Sequence, residues 1–266
     1  MGAVVGSAAL RDKGSKAMLD RIDEAFPGSL TNKELVSRVS EKLAKYGYDG
    51  KTTLLCTSVC CDEITRPLES DFAAVYRESY RMGGLAGFPW GGITAFASMV
   101  AHIPDGGSAL LVYAPHVGVD AAGYVGTVTR RHGDSSQSPC CDAAVGASRH
   151  VVSVWTKDEP PFDAPSTPHD AQHVYLCDAL MPYAARLDES SEPMVELPYA
   201  LYDAQKEIVT NIVQAGCGGT IMAAEGKVAV LGGIQINTPP GHTDYFLPLS
   251  FELFNPKGEK LEDLTL

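Results

Sequence analysis

Thr52-Thr-Leu-Leu-Cys56, running into Thr57-Ser-Val-Cys-Cys-Asp62, is the stretch on which the fold turns. Its first half is a short apolar, β-branched run of the kind needed by a strand buried on both faces. Its second half sets Cys60, Cys61 and Asp62 just beyond the carboxyl end of that strand, where ligands collect in open α/β sheets. Ser108-Ala-Leu-Leu-Val-Tyr113 repeats the pattern and ends at Ala114-Pro115-His116, so two strand ends carry soft-metal ligands. Residues 228–236 and 243–254 read as two closing strands joined by Thr238-Pro-Pro-Gly241.

Helical periodicity fills most of the remainder. Met18, Leu19, Ile22 and Phe26 share one face of a helix over 15–26, and a second helix over 31–47 is entered through Thr31 and Asn32. Further helices are expected over 68–82, 93–102, 143–147, 168–187 and 196–214. Residues 117–128 read as glycine-punctuated β segments and 130–138 as a polar loop. Residues 157–168, with Pro160, Pro161, Pro165 and Pro168, read as an extended connector. The expected class is α/β, with a mostly parallel central sheet flanked by helices. Residues 1–50 form an N-terminal helical segment and 51–266 an α/β domain, in one compact unit.

Composition narrows the function. With 266 residues, 45% hydrophobic and 20% charged, the chain has the profile of a folded globular domain. Its charge of 21 − 33 = −12 opposes binding to nucleic acid or an anionic membrane. The uncharged stretch 82–102 is not a membrane span, because Gly83, Gly84, Gly87, Pro89, Gly91 and Gly92 break its first half into a tight loop. No basic segment precedes Ala3-Val4-Val5, so no secretory signal is read, and a soluble chain in a reducing compartment is expected. The seven cysteines fit that expectation, being an odd number and a poor disulfide framework.

Two of the cysteine pairs are adjacent in sequence, which points toward metal binding or catalysis. Cys60 or Cys61, with His116 and Cys140 or Cys141, would supply two thiolates and an imidazole and leave a fourth zinc position open. Zinc in such a site lowers the pKa of a water to about 7. Asp62, two residues after Cys60, can turn toward the metal and accept a proton, and Arg66 one helical turn on can keep it ionised. Two other chemistries are disfavoured. His169-Asp-Ala-Gln-His173 has zinc-hydrolase spacing, but Asp170 stands where glutamate is needed. No Walker-type phosphate loop occurs, and Gly216-Cys-Gly-Gly219 precedes no suitable helix.

Several motifs, in order, resemble one family. Ser58-Val-Cys-Cys-Asp-Glu-Ile-Thr-Arg66, Gly84-Leu-Ala-Gly-Phe-Pro-Trp-Gly-Gly92, Pro115-His-Val-Gly118, Cys140-Cys141 and Gly233-Ile-Gln-Ile-Asn237 with Asp244-Tyr-Phe246 resemble the limiting-CO2-inducible B/C proteins of algae. That family is related to theta-class carbonic anhydrases, and the matches span residues 50–254. The resemblance implies a fold similar to β-class carbonic anhydrase, a homodimer, and zinc held by two cysteines and a histidine. Carried onto matching positions, the ligands are Cys60, His116 and Cys140, with Asp62 and Arg66 as the catalytic dyad. Cys60 is preferred to Cys61 because it alone makes Cys-x-Asp with Asp62.

The implied reaction is reversible hydration of CO2 to bicarbonate in a CO2-concentrating mechanism of the chloroplast stroma, with Phe88 as an apolar wall for CO2. The alternative is a catalytically silent zinc scaffold or regulatory subunit, assembled in a hetero-complex with a paralogue. Two departures stand out: Ile64 lies where β-class enzymes place arginine, and Asp142 lies where the family would carry glycine.

Overall fold

A computed structural model describes residues 16–130, 137–157, 168–217 and 226–266. Its helices are α1 (Lys16–Ala25), α2 (Asn32–Ala44), α3 (Arg66–Tyr76), α4 (Gly92–Val100), α5 (Asp142–Lys157), α6 (Ala171–Leu180), α7 (Ala184–Glu189) and α8 (Pro193–Cys217). The strands are β1 (Leu30–Thr31), β2 (Thr53–Ser58), β3 (Ser79–Arg81), β4 (Ser108–Tyr113), β5 (His116–Gly118), β6 (Thr127–Thr129), β7 (Gln137–Pro139), β8 (Val228–Asn237), β9 (Tyr245–Phe254) and β10 (Lys260–Asp263). The central sheet has the order β1-β9-β8-β4-β2-β3, with β10 added beside β9 and β5 beside β8. Strands β3, β2, β4, β5 and β8 pair in parallel, while β9 pairs antiparallel with β8. The expected mixed α/β architecture is therefore the observed one.

The central strands are apolar along their whole length because helices cover both faces. In β4, Ala109, Leu111 and Tyr113 point into a core shared with α1, α4 and α8, while Leu110 and Val112 point into one shared with α2 and α3. A third apolar cluster joins α5, α6, α7 and part of α8 to the loop before α4. Strand β8 is long enough to serve two partners. Its first half pairs with β4 as far as Tyr113–Gly232, and its second half pairs with β5 from His116–Gln235 to Gly118–Asn237. Glycine is required at the crossover, since a Cβ on Gly232 would lie 2.2 Å from the Tyr113 ring.

Boundaries differ from the sequence reading where local geometry overrides periodicity. The helix expected over 68–82 stops at Tyr76, because Arg77 turns left-handed at φ 67°, and the chain then adds β3 at the sheet edge. The helix expected over 168–187 is interrupted by a 3-10 turn, Met181–Tyr183, at Pro182. At α2 the Thr31 side chain accepts from the Glu34 amide and Glu34 reaches back to the Thr31 amide, a complete capping box. Of the proline-rich connector, residues 158–167 lie outside the described residues, as do 131–136 of the polar loop and Gly218-Gly219.

Leu110→Ala should cost about 2–5 kcal/mol in urea denaturation, because Leu110 is fully buried at the sheet centre. Leu261→Ala, at a half-exposed position, should change stability by less than about 0.5 kcal/mol.

Candidate metal centre

Three chain segments meet at the carboxyl ends of the parallel strands. The β2 end supplies Cys60, the short β5 supplies His116, and the residue just ahead of α5 is Cys141. Their ligand atoms lie within 4.8 Å of one another, and Cys60 Sγ is 3.7 Å from Cys141 Sγ. All three side chains are buried, at 2–3% exposure. Burial and contact set the protonation of Cys60. Contact with Cys141 and then burial push the Cys60 thiol up to about 12, so metal binding here must release protons.

The imidazole is prepared for a ligand. His116 Nδ1 lies 2.9 Å from Asn237 Oδ1, while its Nε2 is buried and has no hydrogen-bond partner. A buried polar nitrogen without a partner is costly unless something occupies its lone pair. With two sulfurs beside it, the donor set fits a borderline-soft metal ion.

Within the second cysteine pair the geometry divides the roles. Cys141 faces Cys60, whereas Cys140 Sγ lies 3.4 Å from His116 Nδ1, behind the imidazole. Cys140, expected as a ligand, lies outside the cluster of three donors that the fold brings together. The Cys141 carbonyl accepts the Val145 amide at the first turn of α5, which fixes Cys141 at the N-terminal end of that helix. Cys61 is exposed and outside the cluster. Asp142 lies outside the donor cluster: its carboxylate is 64% exposed and 3.9 Å from Arg130.

Asp62, expected to pair with Arg66, has a different partner. It caps the 3-10 turn Glu63–Thr65, accepting from the Ile64 amide at 3.3 Å. Arg130, at the end of β6, donates to both its oxygens at 2.7 and 3.0 Å. Burial alone would raise the Asp62 pKa, but the Arg130 hydrogen bonds prevail and bring it to about 2. Arg66 does not pair with Asp62, because Asp62 is extended and residues 63–65 form a tight 3-10 turn, so the four-residue helical spacing is not realised. The Arg66 guanidinium turns back to the Cys60 carbonyl and the Thr65 hydroxyl, and forms an ion pair with buried Glu69.

The glycine-rich loop covers the centre. Ser58 donates to the Gly87 carbonyl at 2.8 Å, and the Cys61 amide donates to the Gly84 carbonyl. A Cβ on Gly83 would lie 2.1 Å from the Val59 carbonyl, so only glycine permits that approach. Gln205, fully buried on α8, donates to the Ala86 carbonyl. Phe88 is fully buried, stacks on Trp90 at 5.1 Å, and shares an apolar cluster with Cys60, Ala86, Cys141 and Ala144. His169 and His173 belong to no metal-ligating group among the described residues.

Arg130 and Asn237 have no role in the sequence reading. Asn237 lies inside a quoted motif and Arg130 in a polar loop. The only signal for either is position, since a side chain 68 residues from Asp62 cannot be paired with it by spacing.

Known proteins share this chain's pattern and fold along most of its length. A family described as limiting CO2-inducible proteins B/C, β carbonic anhydrases, matches residues 29–255. The crystal structure of PtLCIB4, a homolog of the limiting CO2-inducible protein LCIB, is similar at 45% identity and a TM-score of 0.87, covering 93% of this chain and 100% of that one. A histidine-to-alanine mutant of the same homolog is equally similar, at 45% identity and 0.87, with 93% and 98% covered. LCIB shares the fold, with a TM-score of 0.69 at 18% identity over 91% of this chain and 96% of its own. No curated protein sequence matches.

Cys60→Ser, His116→Ala and Cys141→Ser should each abolish stoichiometric zinc binding, measured by metal analysis after dialysis against a weak chelator. Cys140→Ser should retain it, since Cys140 lies behind the imidazole. Zinc retained by Cys141→Ser and lost by Cys140→Ser would reverse the assignment.

Proposed function

Because this chain belongs to the limiting CO2-inducible protein B/C family of β-type carbonic anhydrases, we propose that it binds one zinc ion through Cys60, His116 and Cys141 and catalyses the reversible hydration of CO2 to bicarbonate. The observation that carries this reading is the buried trio of donors with an unpartnered imidazole nitrogen. Two sulfurs and a nitrogen favour zinc over magnesium or calcium, and three protein ligands leave the open position of a catalytic site. Zinc bound there supplies the Lewis acidity that brings a water's pKa to about 7.

The chain's own residues do the rest. Asp62, with its pKa near 2, is ionised throughout the neutral range and too weak a base to keep a proton. It therefore accepts a hydrogen bond from the attacking water and orients it, while the proton passes on to solvent. Arg130 grips both oxygens of that carboxylate and keeps it from swinging toward the metal. Arg66 acts further back, fixing the Cys60 carbonyl. CO2 is small and uncharged, so an apolar wall suffices to hold it, and Phe88 with Ala86 and Ala144 provides one. Assembly as a homodimer and a place in a chloroplast CO2-concentrating mechanism belong to the same proposal. Among the described residues no helix is long and apolar enough to cross a membrane.

A second reading, a zinc-bearing scaffold without turnover, draws on the closure of the centre, whose three donors are only 2–3% exposed. Stopped-flow CO2 hydration with reduced, zinc-loaded protein separates the two. Wild type should be active at neutral to mildly alkaline pH, and Asp62→Asn should keep its zinc yet lose about 100-fold or more in kcat/KM. Arg130→Ala should also lose activity, and Arg66→Ala should leave the Asp62 pKa low. Fully loaded but inactive wild type would transfer the assignment to the scaffold.

A further inference from the structure

Asn237 ends β8 and is 1% exposed, yet its amide oxygen and its amide nitrogen are both engaged. Its Nδ2 donates to the Ile64 carbonyl at 3.0 Å and faces an Asp244 carboxylate oxygen at 3.4 Å. Asp244 is held in turn by the Thr238 amide at 2.9 Å and the Thr238 hydroxyl at 3.2 Å. Because a carbonyl and a carboxylate accept only, the amide nitrogen must be the group facing them, which settles the orientation of the side chain. Its Oδ1 is then an acceptor aimed at His116 Nδ1.

We infer that Asn237 is a positioning residue: it holds His116 as the tautomer with a proton on Nδ1 and a free lone pair on Nε2, and at the same time ties that histidine to the turn bearing Asp62. The inference rests on the zinc reading above and deepens it. A buried neutral imidazole can carry its proton on either nitrogen, and the wrong choice would blunt the metal ligand. Here an acceptor stands at one ring nitrogen and no hydrogen-bond partner stands at the other. The Cys140 sulfur, 3.4 Å from the same Nδ1, can share that proton as a weaker acceptor. The contact to Ile64 extends the effect, since Ile64 follows Asp62 by two residues in the capped turn. One amide thereby registers the metal ligand against the water-orienting carboxylate.

The test compares Asn237→Leu, which removes donor and acceptor together, with Asn237→Asp, which keeps an acceptor toward His116 but loses the donor to Ile64. Both should lower thermal stability. Only Asn237→Leu should raise the zinc dissociation constant, by about 10- to 100-fold in chelator competition, whereas Asn237→Asp should stay within about threefold of wild type. Nitrogen-15 spectra at mildly alkaline pH read the tautomer directly. Wild type should show a protonated Nδ1 both without metal and with zinc, and the metal-free Asn237→Leu spectrum should move toward a mixture.

Equal zinc affinity in Asn237→Leu and wild type, or a neutral wild-type imidazole protonated at Nε2 and not at Nδ1, would overturn the inference. If Asn237→Leu does not fold, the wild-type spectrum and the Asn237→Asp affinity still decide it. Wild type that binds no zinc would overturn the proposed function, while the metal-free spectrum would still judge the tautomer.

Discussion

Ser58 at the end of β2 lies beside Tyr113 at the end of β4, and Tyr113 lies beside Gly232 midway along β8. That parallel register is the constraint on which the centre depends. Parallel strands in adjacent order deliver their carboxyl ends to the same edge of the sheet. The chain leaving β2 therefore reaches Cys60 at the level where the chain leaving β4 reaches His116, and the remaining length of β8 holds His116 through β5. A slip of one residue in any of these pairings would turn the strand's inward side chains to the opposite face and separate the donors.

Around that edge, backbone carbonyls are gripped by side chains, most of them from distant parts of the chain. Gln205 holds Ala86, Ser58 holds Gly87, Gln235 holds Thr65, Asn237 holds Ile64, and Arg66 holds Cys60. Each bond gives a net gain of only about 1 kcal/mol, but leaving such a buried group unpaired costs about 1–3 kcal/mol. The outcome is a site whose loops are not free to adapt. Placement of this kind is what a reaction with a small, featureless substrate requires, since the substrate offers few contacts with which to organise the protein around itself.

The sheet is legible in the sequence because its central strands are continuous apolar runs ended by turn residues, and Thr52 to Cys56 and Ser108 to Tyr113 match β2 and β4 closely. Strand β3 is not, being three residues long, partly exposed and dictated by its neighbour β2 rather than by its own pattern. At the centre, ligand types and strand ends can be read from the chain, and so can the presence of Asp62. The choice between Cys140 and Cys141 cannot, since adjacent residues are told apart only by the direction of their side chains. Arg66 is a local expectation that a 3-10 turn defeats, and Arg130 reaches Asp62 through tertiary structure alone. What sequence spacing encodes is local geometry, and the groups that tune this centre come from β6, β8 and α8, far along the chain.

Cys60 and His116, placed by strand register, and Cys141, placed at the head of α5, are proposed to form one metal centre. Anomalous diffraction at the zinc edge, on crystals grown with zinc, tests it most directly. One peak is expected, about 2.3 Å from Cys60 Sγ and Cys141 Sγ and about 2.0–2.1 Å from His116 Nε2. A peak bonded to Cys140 or to His116 Nδ1, or zinc bound only elsewhere on the chain, would contradict it.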